Sequence, residues 1–286
     1  MTVVRLDSHH HLWRVDRGDY HWMPDDGPLR EDHLADRLLP ELAGADVGGT
    51  ILVQAAQTVD ETRFLLELAH EIDPVLGVTG WVDLERGDAL ETVAALAEQG
   101  PMLAVRPMLH DLDDPAWIAR PAVVDNLRGL ASTRQRFEVL SFPEHLPAAY
   151  EALAAVPDLP VVIDHLSKPS YDWDRDADWR TWMARFAQRP ETFCKLSGMV
   201  TEVGADWTVE TFRPYAEFVL DAFGSDRVMF GSDWPVCRQV AEYAEVAELA
   251  QVLIDEFVPD DADAIWRENA ERFYGVTIGP SGSGRP

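Results

Sequence analysis

Short apolar or β-branched runs alternate with longer stretches of helical periodicity from one end of the chain to the other. The runs predict strands over residues 3–7, 49–55, 75–82, 102–108, 137–142, 160–164, 192–197 and 227–231. Helical patterns between them cover 58–72, 88–99, 143–155, 209–223 and 240–257. In the first of these, Thr58 and Glu61 have the spacing of a capping box, and Phe64, Leu65, Leu68 and Ile72 recur on one face. Strand and helix in alternation predict an α/β chain on a parallel sheet. Eight such units in 286 residues predict a single-domain TIM (β/α)8 barrel over residues 1–278, with the active site at the C-terminal ends of the strands. A doubly wound open sheet is the competing arrangement, but no G-x-G-x-x-G follows an early strand and no G-x-x-x-x-G-K-[ST] occurs. Residues 279–286, rich in Gly and Ser, read as a flexible tail, and 170–182 as a longer aromatic loop.

Charge narrows the partners. Acidic residues outnumber basic ones 51 to 24, for a formal net charge of −27, which argues against nucleic acid and anionic membrane surfaces and leaves a small molecule as the expected partner. No apolar stretch is long enough for a membrane span, and the N-terminus has no signal-peptide pattern. The two cysteines, Cys194 and Cys237, form no C-x-x-C pattern, so a cytoplasmic location is expected. A homo-oligomer is compatible with the sequence, which does not set the oligomeric state.

The predicted strand tips are chemically dense. The first ends in Asp7-Ser8-His9-His10-His11-Leu12-Trp13, and because strand side chains alternate, His9 and His11 share a face that His10 does not. Paired imidazoles suit a metal ion, although a His-rich surface turn reads equally well from the tripeptide alone. The last strand ends in Gly231-Ser232-Asp233-Trp234-Pro235. A closed barrel sets that strand beside the first, so Asp233 can meet His9 and His11, bind a divalent ion with them, or take a proton from water. Taken alone, Asp233 also reads as a helix cap. His165, after the apolar Val161-Val162-Ile163, is either a core histidine or a site residue; its strand-tip position favours the site. Arg106 and Lys195 read either as salt-bridge partners or as cations for an oxyanion or carboxylate. Gln54, Lys168 and Glu202 stand near other tips, His110 lies just beyond Arg106, and Trp13 and Trp234 are packing residues or sugar platforms.

These motifs, together with Gly80-Trp81-Val82-Asp83-Leu84, Asp164-His165-Leu166-Ser167-Lys168-Pro169, Lys195-Leu196-Ser197-Gly198 and Asn269-Ala270, resemble the amidohydrolase superfamily. The resemblance is to its amidohydrolase-related branch, which contains sugar lactonases such as L-fuconolactonase and L-rhamnonolactonase. It implies a TIM barrel and a metal set of His9, His11, His165 and Asp233, with Asp233, His165, Arg106 and Lys195 as catalytic groups. Trp13, Gln54, Arg106, Lys168, Glu202 and Trp234 are then the substrate-binding candidates. The chain departs from the wider superfamily in having no lysine at the fourth strand tip and no histidine on the fifth strand. One divalent ion, with zinc the candidate, weakly held or dispensable, is therefore implied rather than a binuclear centre.

The expected reaction is hydrolysis of a sugar-acid lactone to the aldonate. The alternatives are a 2-pyrone-4,6-dicarboxylate-type lactonase, which needs more than one cation facing the pocket, a metal-dependent decarboxylase of an aromatic acid, and a silent barrel that binds a sugar acid.

Overall fold

Eight parallel strands pair in chain order in a computed structural model that describes residues 4–279. They are β1 (Arg5–His10), β2 (Val47–Val53), β3 (Val75–Gly80), β4 (Met102–Val105), β5 (Arg136–Val139), β6 (Val161–Ile163), β7 (Thr192–Leu196) and β8 (Val228–Phe230). All the expected strands are present. The predicted tail lies outside the described residues except for Gly279, as does the first predicted strand position, Val3.

Helices surround this sheet: α1 (Ala35–Gly44), α2 (Val59–Glu71), α3 (Ala89–Ala97), α4 (Pro121–Leu130), α5 (Leu146–Ala154), α6 (Ala177–Ala187), α7 (Met199–Val203), α8 (Val209–Phe223), α9 (Tyr243–Phe257) and α10 (Asn269–Tyr274). Thr58 caps α2, its hydroxyl accepting from the Glu61 N–H at 3.0 Å. The reciprocal half of the capping box is not made. Glu61 reaches back instead to the Ala55 N–H at 2.9 Å, tying the helix to the tip of β2.

Two apolar layers follow from strand alternation. Leu6, Ile51, Val53, Ala104, Val162, Phe193 and Met229 meet inside the barrel, where Ala270, Phe273 and Tyr274 of α10 join them. Outside, residues such as Leu65, Val78, Val105, Phe137, Leu153, Ile163, Phe212 and Leu253 pack sheet against helices. Each buried side chain of this size contributes about 1.5–3 kcal/mol, so the outer layer carries most of the hydrophobic stabilisation.

The expected loop over 170–182 is a correction: its second half is helical, in α6. Tyr171, Trp173 and Trp179 pack on Phe212, Tyr215 and Phe218 of α8, so these aromatics clad an outer helix. The spacing of Trp179 and Trp182, three apart, is a helical interval, but the irregular run before it, with Tyr171 and Trp173, hides where the helix starts.

Candidate active site

The barrel closes at its strand tips. The Asp233 N–H donates to His9 O at 2.8 Å and the His11 N–H to Trp234 O at 2.7 Å, which draws the end of β8 onto β1. Asp7 secures the join from behind. Its buried carboxylate accepts from the Ser232 hydroxyl at 2.6 Å, the Ser232 N–H at 2.9 Å and the Tyr243 hydroxyl at 2.9 Å.

Backbone strain marks the same region. Asp233 has φ 57°, and after β6 the consecutive residues His165, Leu166, Ser167 and Lys168 have φ of 52°, 54°, 57° and 47°. Left-handed backbone costs a non-glycine residue roughly 1–2 kcal/mol, so the turn has to be held by its surroundings. It brings two residues of one short segment, His165 and Lys168, to the same cleft.

That cleft, of about 130 Å³, is lined by His11, Arg106, His165, Lys168 and Asp233, with Trp22, Ala55, Met108, His110, Leu140 and Val236 completing its walls. Asp233 Oδ1 stands 3.3 Å from His11 Nε2 and 3.8 Å from the Nε2 atoms of both His9 and His165. Burial pushes the Asp233 carboxyl up, but the facing His165 and His11 rings and Lys168 outweigh it, and its pKa falls below the ordinary value. Burial holds His165 well below the usual histidine range, so it is a neutral imidazole.

Beneath the cleft lies a buried ladder of charge. Lys195 Nζ pairs with Glu138 Oε2 at 2.7 Å and Asp164 Oδ1 at 3.1 Å, and lies 3.2 Å from His9 Nδ1. Arg106 Nη1 reaches Asp164 Oδ2 at 3.1 Å and His9 Nε2 at 3.4 Å, while its Nη2 donates to Gln54 O. Burial lowers the His9 pKa well below the ordinary value, and the flanking Lys195 and Arg106 add to that effect, so His9 is neutral too. Asp164, caught between the same two cations, is held low against its burial.

Of the residues expected at the site, His9, His11, His165, Asp233 and Arg106 come together. Lys195 adjoins His9 but lies below the cleft, and Gln54 grips the Arg106 carbonyl at 3.0 Å from behind. Glu202 pairs with Lys168 at 2.7 Å. Trp13 and Trp234 are fully buried and outside the cleft lining, because Trp13 fills the cluster around Tyr20, Met23 and Leu29 and Trp234 packs against His33. His10 points away from its neighbours, as alternation requires, yet it is buried and bonded to Thr50 at 2.9 Å.

Glu138, Asp164 and Trp22 were not singled out from the sequence for a role. A glutamate inside the otherwise apolar Phe137–Val139 stretch was the one available signal for the first.

The donor set suits a cation. His11 Nδ1 faces the Val53 carbonyl at 2.8 Å, an acceptor only, so that nitrogen donates and leaves Nε2, 3.3 Å from the Asp233 carboxylate, as the atom a cation would meet. His9, His11 and Asp233 each offer an atom within 4.8 Å of the others, and His9, Asp164 and His165 do the same. Arg106 competes for His9 Nε2, which fits a weakly held ion better than a tight one.

Residues 6–276 match the amidohydrolase family. The L-fucono-1,5-lactonase of Burkholderia ambifaria is 36% identical over 285 residues, 98% of each chain. That of Burkholderia multivorans is 37% identical over 296 residues, covering 96% of this chain and 97% of its own. The crystal structure of an amidohydrolase from Burkholderia multivorans with bound zinc superposes with a TM-score of 0.89 at 34% identity, over 96% of this chain and 100% of that one.

Proposed function

The chain belongs to the amidohydrolase family, and on that premise we propose that it opens a neutral sugar-acid lactone to the aldonate by attack of water on the ester carbonyl. The observation that carries this reading is the state of the cations at the cleft. Arg106 and Lys168 both face the cleft, the two cations a pyrone dicarboxylate needs, but each charge is already matched, Arg106 by Asp164 and Lys168 by Glu202, so neither offers unmatched charge to a substrate carboxylate. A pyrone dicarboxylate or an aromatic acid needs such a receptor, whereas a lactone brings only hydroxyls and a carbonyl. Relatives named as lactonases of L-fucono-1,5-lactone support the same class.

In this reading the Asp233 carboxylate takes a proton from water as the oxygen adds to the carbonyl carbon. The carbonyl π pair moves to its oxygen, and the guanidinium of Arg106 offsets the developing charge. As the pair returns, the ring C–O bond breaks and the departing oxygen takes back from Asp233 the proton that the water gave, while His165, a neutral imidazole, orients rather than protonates. Lys195 serves by fixing His9 rather than by meeting substrate. A divalent ion such as zinc, held by His9, His11, His165 and Asp233, would supply Lewis-acid polarisation. Both cysteines are buried free thiols, in keeping with the cytoplasm.

The deciding experiment offers L-fucono-1,5-lactone and L-rhamnono-γ-lactone to the purified protein in a weakly buffered pH indicator, with and without chelator. Acid release is expected from at least one lactone. Release of carbon dioxide from an aromatic acid, with every lactone inert, overturns the reading.

A further inference from the structure

The two tryptophans read as packing residues or sugar platforms, Trp13 and Trp234, are packing residues, and a third stands at the cleft. Trp22, hydrogen-bonded to Ala55, lines the cleft together with Met108, His110, Leu140 and Lys168, and with His11, His165 and Asp233. It is 36% exposed, one of three large apolar side chains exposed to that degree among the described residues. An apolar ring of that size left open beside a reactive carboxylate invites a ligand.

The indole is not loose. Its Nε1 donates to Ala55 O at 2.6 Å, and it meets Trp13 in a T-shaped contact at 5.6 Å and 81°. Trp13 in turn donates from Nε1 to Glu31 O at 2.9 Å and pairs its backbone with His33, so it staples the segment that carries Trp22. The buried tryptophan thus positions the exposed one. The polar groups that share the cleft are backed by charge: Lys168 by Glu202 at 2.7 Å and His110 by Asp111 at 3.2 Å.

A sugar lactone has the matching asymmetry, with a C–H face on one side and hydroxyls at its edge. We propose that Trp22 is the platform against which the C–H face of the lactone ring lies, while His110 and Lys168 meet its hydroxyls, making Trp22 a specificity-determining residue. The inference rests on the lactonase reading above and adds to it a defined orientation of the ring.

The test compares wild type, Trp22→Ala and Trp22→Phe on L-fucono-1,5-lactone, with kcat, KM and the unfolding midpoint measured for each. Loss of the stacked face in Trp22→Ala should raise KM about tenfold while kcat stays near wild type. Trp22→Phe should fall between the two. Wild-type turnover with an unchanged KM in Trp22→Ala overturns the platform alone, as does a fall in kcat and unfolding midpoint without a rise in KM, the signature of a merely structural role. Absence of wild-type turnover on any sugar lactone overturns the lactonase reading and the platform with it.

Discussion

Asp233 holds His9 twice: its N–H donates to the His9 carbonyl at 2.8 Å, and its carboxylate lies 3.8 Å from the His9 ring. The bond that closes the barrel therefore also sets the distance between the proposed base and the first-strand imidazoles. Asp233→Asn keeps the main-chain bond and removes only the base. Its kcat on a lactone should fall about 10²–10⁴-fold with the unfolding midpoint nearly unchanged. Wild-type turnover by this variant would remove Asp233 from the chemistry.

Lys195 is wholly buried between Glu138 and Asp164. Lys195→Met leaves two carboxylates in the interior without their shared cation, and should cost about 3–5 kcal/mol in denaturant unfolding. Adding Glu138→Gln should restore part of that loss, because the two changes act on one pair. Equal unfolding midpoints for wild type and Lys195→Met would show that the ladder does not support the fold.

Gly198 has φ 65°, and a Cβ there would lie 2.4 Å from His165 Nδ1. Gly198→Ala must therefore push His165 off its 2.8 Å contact with the Ser197 hydroxyl. A displacement of about 1 Å at a reacting group costs on the order of 10²-fold, and kcat/KM should fall by that much. A crystal structure of the variant with His165 in place and full activity would contradict this.

Glu61 gives a pH-dependent stability. Burial pushes its carboxyl up from 4.5 to about 8, against the pull of the Ala55 and Ala56 N–H groups and of Arg106 and Arg17. Below 4.5 both folded and unfolded chains carry the proton. Between 4.5 and 8 the unfolded chain releases it first, so this group removes stability as pH rises through that window, at up to about 1.4 kcal/mol per pH unit. Glu61→Gln abolishes the term. Its stability relative to wild type should climb from pH 4.5 to 8 in denaturant titrations, and a constant difference would refute the assignment.

Much of this was legible in the sequence because it is local or topological. Each strand is a short apolar run, and barrel closure alone sets Asp233 beside His9 and His11 across 222 positions from His11. The charge ladder was not legible, since Lys195 meets Glu138 over 57 residues and Thr79 meets Glu138 over 59, and no spacing rule links them. Trp13, Trp22 and Trp234 are alike in composition. Only packing reveals which of them faces the cleft and which fills the core. The first half of the 170–182 segment is irregular, and its aromatics masked the start of α6 for the same reason.

Tyr274, on the last helix, passes its hydroxyl into the barrel and donates to Glu138 at 2.5 Å. The other Glu138 oxygen holds Lys195, and Lys195 touches the His9 ring. A phenol at the closed end of the barrel is thus three contacts from the imidazoles at its open end. The C-terminal helix is more than a plug: removing Tyr274 would take one hydrogen bond from Glu138, leave that carboxylate to Lys195 and Thr79, and reach the reaction from its far side.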